Sequence, residues 1–498
     1  MQFYPKAREK RPSIHHASVR PRRMKVLKAA IVNLVILQVL FLCLFCYIFG
    51  SIYQQNTHVH NLKVLFIDYD GGAIGDSVRS AYEKLKGPGF PSLIERSTTE
   101  YPHPNLVDSA VCNIDYWGAL YTTADASNSL TAALSGGSAA ASYDSSNVLT
   151  MAWNEARYPT IVDSFLSNSL KSLTEAAWVA YSTANGQQAL QSVNKSDPAA
   201  LEALYNPWSL SSVNLQPTSQ GARLIYNTLV ILLLIMQNFF FLGYVNGLYV
   251  QFKLYTSVAP HRIAIYRQLI SAVYTLIGSL CATGAIWAFR HGWHVNGNQF
   301  VLTWISFWLF AHLNYLVLDV FTIWIPPAYV PMAMVTWAVT NSTSVLIPFD
   351  LSPGFYRWGY ALPTHSIYQI LIDIWSGGCN PQLNYALPVL FVYELIAMTL
   401  STIGVYRRAH YACLAQEKDE MSCRDNIVTA IRDLRQDLAK DRQMGRIPDT
   451  EKEQQPPSAA ILTEQEKLIH ILRHEIARAK AEDEGNEVAF SLPFKDYL

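Results

Sequence analysis

A bilayer offers the backbone no hydrogen-bond partners, so a run of about 20 apolar residues that crosses one must fold as a helix. Such runs occur at 26–53, 224–250, 268–289, 299–324, 328–348 and 385–406. The first is too long for a signal-peptide core and lacks a small-residue cleavage pattern, so it reads as an uncleaved anchor. The expected fold class is a polytopic α-helical membrane protein with six spans, arranged one plus five around the long segment 54–222. Composition agrees. Charged residues make up 15%, against about 25% in soluble domains, and apolar residues 50%. Lys plus Arg and Asp plus Glu each total 38, which excludes the basic surplus of a nucleic-acid binder. A soluble enzyme, a disulfide-rich secreted domain and a disordered scaffold are excluded as well.

Basic residues near span ends set the expected orientation. Residues 1–28 hold nine Lys and Arg against the single acid Glu9, so 1–25 reads as a basic cytoplasmic N-terminus. Six spans return the C-terminus to the same side, where Arg407 and Arg408 follow the last run. The loop 251–267, with Lys253, Arg262 and Arg267, is cytoplasmic in this scheme. The five-span membrane domain covers 223–408.

The intervening segment 54–222 is then extracytoplasmic, with 8 basic and 15 acidic residues and hence a net charge of −7. Leu62 to Asp68 reads as a buried strand and Asp70-Gly71-Gly72 as a turn. Helical spacing follows through Ile74, Val78, Ala81, Tyr82 and Leu85, an α/β opening. The Ser-, Ala- and Gly-rich stretch 127–147 reads as a helix followed by a loop. Asn194-Lys195-Ser196 is a glycosylation sequon on the exposed side, whereas Asn341-Ser342-Thr343 lies inside an expected span. The charged cytoplasmic tail 409–498 carries two amphipathic repeats, Ile427, Ile431, Leu434, Leu438 and Ile469, Leu472, Ile476, Ala479. Pro448, Pro456 and Pro457 separate them. The tail reads either as two solvated helices or as a docking element for a partner or a second copy of the chain.

Several chemistries are absent. There is no Gly-Lys dipeptide and so no Walker-type phosphate loop, and no His-Glu-x-x-His, paired Cys-x-x-Cys or Gly-x-Ser-x-Gly. No catalytic residue, metal site or cofactor is expected, and the protein is not expected to be an enzyme. Of the seven cysteines, only Cys112 and Cys379 fall in the oxidising space. They read either as a disulfide joining the extracytoplasmic domain to the last external loop or as two separate thiols.

Ionisable and amide groups inside spans are costly and face a bundle interior or an aqueous cavity. Asn238, Asn246, His312, Asn314, Asp319 and Glu394 are the candidates. They form either a polar pathway, with a proton-titrating set built on His312, Asp319 and Glu394, or interhelical hydrogen bonds that hold the bundle. The segment 350–378 is aromatic, broken by Pro and Gly, and too polar to span. It reads as a short external re-entrant pair, its second part amphipathic over 365–376.

The run Ser352-Pro353-Gly354-Phe355-Tyr356-Arg357 through Ala361-Leu362-Pro363, then Ile374-Trp375-Ser376-Gly377-Gly378, resembles the signature of the fungal nitrosoguanidine-resistance membrane proteins. Tyr116-Trp117-Gly118-Ala119-Leu120-Tyr121 and the one-plus-five arrangement resemble that family too, over about 26–410. The family in turn resembles ABC-2-type exporter membrane subunits and the phage-infection-protein group. The resemblance implies a plasma-membrane protein tied to resistance to toxic compounds, through export or lipid translocation. This chain has no nucleotide-binding domain, so coupling would come from a proton gradient or an ATPase in trans. Expected partners are membrane lipids and no nucleic acid. The alternative is a regulatory or scaffolding membrane protein acting through its extracytoplasmic domain and tail.

Overall fold

The computed structural model describes residues 13–218, 229–290 and 293–443. The second tail repeat, the tail prolines and the start of the 224–250 run lie outside them. The chain opens with α1 (Arg20–Ser51), then alternates β1 (Lys63–Asp68), α2 (Ala73–Leu85), β2 (Ser92–Arg96), α3 (Pro104–Cys112) and β3 (Gly118–Thr122). Next come α4 (Ala126–Leu134), the short α5 (Ser138–Ala141), β4 (Leu149–Trp153) and α6 (Pro159–Ile161). A π-turn at Val162–Ser167 leads into α7 (Asn168–Ser192), followed by α8 (Pro198–Tyr205) and β5 (Leu210–Asn214). The remainder is helical: α9 (Leu229–Gln251), the single turn α10 (Leu254–Ser257), α11 (Pro260–Ala288), α12 (Gly297–Trp324), α13 (Val330–Thr343), α14 (Pro363–Trp375) and α15 (Leu383–Gln443).

Two compact units emerge. The first comprises Met1–Ile235, Leu276–Ala311 and Pro331–Tyr393; the second comprises Met236–Thr275, His312–Val330 and Glu394–Leu498.

In the first unit a five-stranded sheet runs in the order β2-β1-β3-β4-β5. β1 pairs parallel with β2 and β3, β3 pairs antiparallel with β4, and β4 pairs parallel with β5. A parallel strand covered on both faces must be apolar throughout, and Val64, Leu65, Phe66 and Ile67 are all buried. Alternation assigns their side chains to opposite faces. Val64 and Phe66 join Ile74, Val78 and Ala81 of α2 and Leu170, Leu173 and Ala177 of α7. Leu65 and Ile67 join Val107, Ala110 and Val111 of α3. Each such large side chain contributes roughly 1.5–3 kcal/mol by leaving water. Val345, Ile347, Leu351, Tyr368 and Ile372 belong to the first of these cores. The segment between α13 and α14 is therefore part of the sheet domain's packing.

Among the described residues five helices are long and apolar enough to cross a membrane: α1, α9, α11, α12 and α15. The expected run 328–348 departs from this. It is helical over Val330–Thr343, 14 residues, a length of about 21 Å against a hydrocarbon core of about 30 Å. Its polar end stops it. The Asn341 Nδ2 donates to Trp337 O at 2.9 Å, and Ser344 Oγ donates to Asn341 O at 2.6 Å.

Two further boundaries differ from the sequence reading. Pro260 at the first helical position, where a missing N–H costs nothing, starts α11 early. Arg262 and Arg267 therefore lie on the helix rather than in a loop. The last span does not end at Arg408 either. With no Gly or Pro between Arg408 and Gln443 to break it, α15 runs on past Arg408 and covers 61 residues in all, Pro388 included, so the tail's first repeat is an extension of the span.

Candidate functional site

The second unit contains two buried polar networks. In the first, five elements converge on one carboxylate. Asp319 of α12 accepts at Oδ1 from Arg267 of α11 at 2.7 Å and from Arg408 of α15 at 3.1 Å. Its Oδ2 accepts from Ser401 of α15 at 2.5 Å. Asn246 of α9 accepts from both guanidiniums, at 2.9 and 3.3 Å, as does Tyr255 of α10, at 3.3 and 3.4 Å. Thr322 accepts from Arg408 Nη2 at 2.6 Å and donates to the Asp319 carbonyl at 2.8 Å. Asp319 is 1% exposed and Arg267 3%, so these charges are held by each other rather than by solvent. Two guanidiniums against one carboxylate leave the network one positive charge in excess. Removing one partner of such a buried set strands charge and costs about 3–5 kcal/mol.

The second network pairs His312 Nδ1 with Glu394 Oε1 at 2.5 Å, while His312 Nε2 lies 3.0 Å from Ser271 Oγ. The Ser271 hydroxyl donates its only hydrogen to Gln268 O at 2.8 Å, so Nε2 must be the donor to Ser271. The proton between Nδ1 and Oε1 can then sit on either atom, giving an imidazolium–carboxylate pair or a neutral imidazole facing a carboxylic acid. Both states keep every hydrogen bond. Glu394 Oε2 is buried and has no partner among the described residues. The geometry thus provides one shared hydrogen bond between an imidazole and a carboxyl group, and one buried carboxyl oxygen without a partner among the described residues.

The expected polar residues are thus divided. Asn246 and Asp319 belong to the charged network, and His312 and Glu394 to the proton-holding pair. Asp319 lies seven residues beyond His312, roughly 10 Å along α12, and does not join the pair. Asn238 and Asn314 are buried in the same unit. Arg267 and Arg408 entered the sequence reading only as orientation-setting charges, and Ser401 and Tyr255 escaped it. One signal was available: α11 buries Arg267, Ser271, Thr275, Ser279 and Thr283 at four-residue spacing, a polar stripe headed by a cation.

In the first unit Cys112, at the end of α3, is bonded to Cys379, whose carbonyl also accepts from Asn154 at 3.2 Å. Within the segment 350–378, Ser352 Oγ donates to Ser51 O at 3.0 Å and Tyr356 Oη to Tyr47 O at 2.8 Å, fastening the end of α1. Pro353 precedes a 3₁₀ turn at Gly354–Ala361, within which Gly354, Phe355 and Arg357 are exposed, and Pro363 opens α14. Asn194 is exposed in the turn after α7. Among the described residues no group of His, Cys, Asp and Glu could hold a metal ion.

Five lipid-length helices, an α/β domain between the first and the rest, and buried charge inside the helical unit define a multi-pass helical membrane protein. Residues 33–399 match a family described as protein of unknown function (DUF3533), and the chain belongs to that family. It is also similar to an uncharacterized endoplasmic reticulum membrane protein of Saccharomyces cerevisiae. The two are 20% identical over 430 residues, 79% of this chain and 83% of that protein. No solved structure matches the chain.

Proposed function

We propose that the protein moves amphipathic molecules, membrane lipids among them, across its membrane in step with a proton carried by the His312–Glu394 pair. One observation carries the reading: a buried acid–imidazole couple that keeps its mutual hydrogen bond whichever partner holds the shared proton, with a second carboxylate oxygen left open to take up and release a further proton. The separate Arg267–Asp319–Arg408 network supplies the rigid frame against which such a pair can change state. The likeness to ABC-2-type exporter subunits supports a translocation role, with proton coupling in place of an ATPase of its own. The N-terminus faces the cytoplasm in this reading. The relative's description as an endoplasmic reticulum protein supports residence there over the plasma membrane that the family resemblance implies.

The competing reading is a scaffold, favoured by the continuation of α15 from the bundle through 409–443. Purified protein in liposomes bearing a pH gradient, assayed with fluorescent lipid analogues, separates the two. Glu394→Gln, inserted at normal abundance, should abolish gradient-dependent movement, whereas truncation after Arg408 should preserve it. Wild-type movement by Glu394→Gln overturns the proton-coupled reading. Transport that survives the loss of the gradient but fails on ATP depletion in cells assigns the coupling to an ATPase in trans.

A further inference from the structure

Arg157 is a cation at the end of the sheet that the two networks leave unused. It follows β4 at a bend where the next residue, Tyr158, is held at φ 56°, a left-handed conformation that costs a non-glycine residue about 1–3 kcal/mol and gathers at functional sites. The guanidinium stacks on Trp117, its Cζ 3.7 Å from the ring centroid. The side chain is half-buried, and among the described residues its guanidinium donates no hydrogen bond. Surrounding protein pushes its pKa down to about 10, with the nearby Asp350 carboxylate pulling the other way, so it stays charged at neutral pH. Asp350 does not pair with it directly; instead it accepts from Trp117 Nε1 at 3.2 Å.

A wall of rings adjoins the two charges. Phe349 lies 4.6 Å from Tyr360 and 4.8 Å from His365, Tyr360 lies 6.3 Å from Tyr385, and Tyr158 lies 5.0 Å from Tyr368. The Tyr158 hydroxyl is buried without a partner, and so are Thr364 Oγ1 and Ser366 Oγ in the first turn of α14. Tyr360 is exposed, as are Phe355 and Trp358 on the same 3₁₀ turn. Aromatic side chains of this kind sit at the headgroup level of membranes.

A cation and an anion that face the same ring cluster without bonding each other complement a ligand carrying both charges. We propose that this face of the first unit binds a zwitterionic phospholipid headgroup. The phosphate takes the free donors of Arg157, the ammonium lies between Asp350 and the faces of Tyr360 and Tyr385, and the acyl chains leave past Phe355 and Trp358. Guanidinium recognises phosphate bidentately, and stacking on Trp117 fixes the fork in place. The assignment stands apart from the transport reading, because it concerns equilibrium binding to the first unit alone.

The test titrates full-length protein in maltoside micelles with dihexanoyl-phosphatidylcholine, dihexanoyl-phosphatidylglycerol, or inorganic phosphate, read by calorimetry and by tryptophan fluorescence. Wild type should bind the zwitterionic lipid at least tenfold tighter than the anionic one and show no saturable binding of phosphate. Arg157→Gln should lose at least tenfold in affinity, and Arg157→Lys, which keeps the charge but not the fork, should fall between. Asp350→Asn should weaken phosphatidylcholine and strengthen phosphatidylglycerol. An intact Cys112–Cys379 bond, checked by gel mobility, shows that each variant is folded. Equal affinity for the two lipids overturns the zwitterion assignment. Tight phosphate binding makes the site one for free anions, and unchanged binding by both Arg157 variants removes the site altogether.

Discussion

The charged network makes an asymmetric demand that replacement of its members can measure. Asp319→Asn removes the one carboxylate and leaves Arg267 and Arg408, raising the cluster from one excess positive charge to two. The amide keeps a single acceptor oxygen where the carboxylate accepted from Arg267, Arg408 and Ser401, and its NH₂ group faces donors. Stranding a buried partner costs about 3–5 kcal/mol, and two stranded guanidiniums put this variant at the upper end. Arg408→Gln works the other way. It leaves the Arg267–Asp319 pair at 2.7 Å with no excess charge, so its cost should approach that of lost hydrogen bonds, about 1–3 kcal/mol. The double replacement Asp319→Asn with Arg408→Gln restores the original excess of one and should be milder than Asp319→Asn alone. Detergent-solubilised protein unfolded reversibly by increasing SDS gives the three free energies. If Asp319→Asn costs no more than Arg408→Gln, or if the double variant costs the sum of the two, charge balance is not what holds these helices.

Two further replacements probe single contacts. Asp108, on α3, has a buried Oδ1 without a partner, and burial holds its carboxyl above the usual range. A raised folded-state pKa means that ionisation opposes folding. The penalty operates above that pKa and disappears as pH falls toward the unfolded value near 3.8. Asp108→Asn should therefore raise the melting temperature at pH 7, by an amount equivalent to about 1 kcal/mol, and the advantage should shrink at pH 4; an advantage that grows on acidification refutes it. On α15, a Cβ at Gly404 would land on Ile323 Cδ1, with Cγ1 at 2.9 Å and Cγ2 at 3.0 Å. Gly404→Ala should cost about 1–3 kcal/mol by overpacking, and Ile323→Ala in that background should recover part of it, a coupling that additive effects of the two would disprove.

How much of this was legible depended on the range of the interaction. The strand–turn–helix opening at 62–86 could be read because a covered parallel strand is apolar at every position and α2 repeats its apolar residues at helical spacing. Five long helices after α1 were expected, and four were found among the described residues in α9, α11, α12 and α15, because 20 apolar residues in lipid admit little else. The fifth, 328–348, failed at its polar end. Asn341, Ser342 and Thr343 read as lying inside the span, yet Asn341 Oδ1 accepts from Thr364 N at 3.3 Å, tying the end of α13 to the start of α14. Likewise His312 and Asp319 share a face of α12 by spacing, but spacing could not say that His312 faces Glu394, 82 positions away, while Asp319 faces two arginines.

Those arginines show why the charged network stayed hidden. Arg267 and Arg408 were counted among the basic residues that set orientation, and both ended up buried against Asp319. The two roles do not conflict. Orientation is set by basic residues near span ends as each segment inserts, before the helices have packed. A guanidinium on a long apolar stem can then turn outward to the interface or inward to an acid. Nothing local marks which it will do. Arg407, the neighbour of Arg408, lies over Trp324 at 4.8 Å and Tyr411 at 5.3 Å, one position along and on a different face of α15. What separates the two is whether the helix phase points at Asp319, 89 positions from Arg408 and 52 from Arg267. A rule that counts charges along the chain has no means to see that phase, whereas a search for one buried acid within reach of two helix-end arginines would have found it.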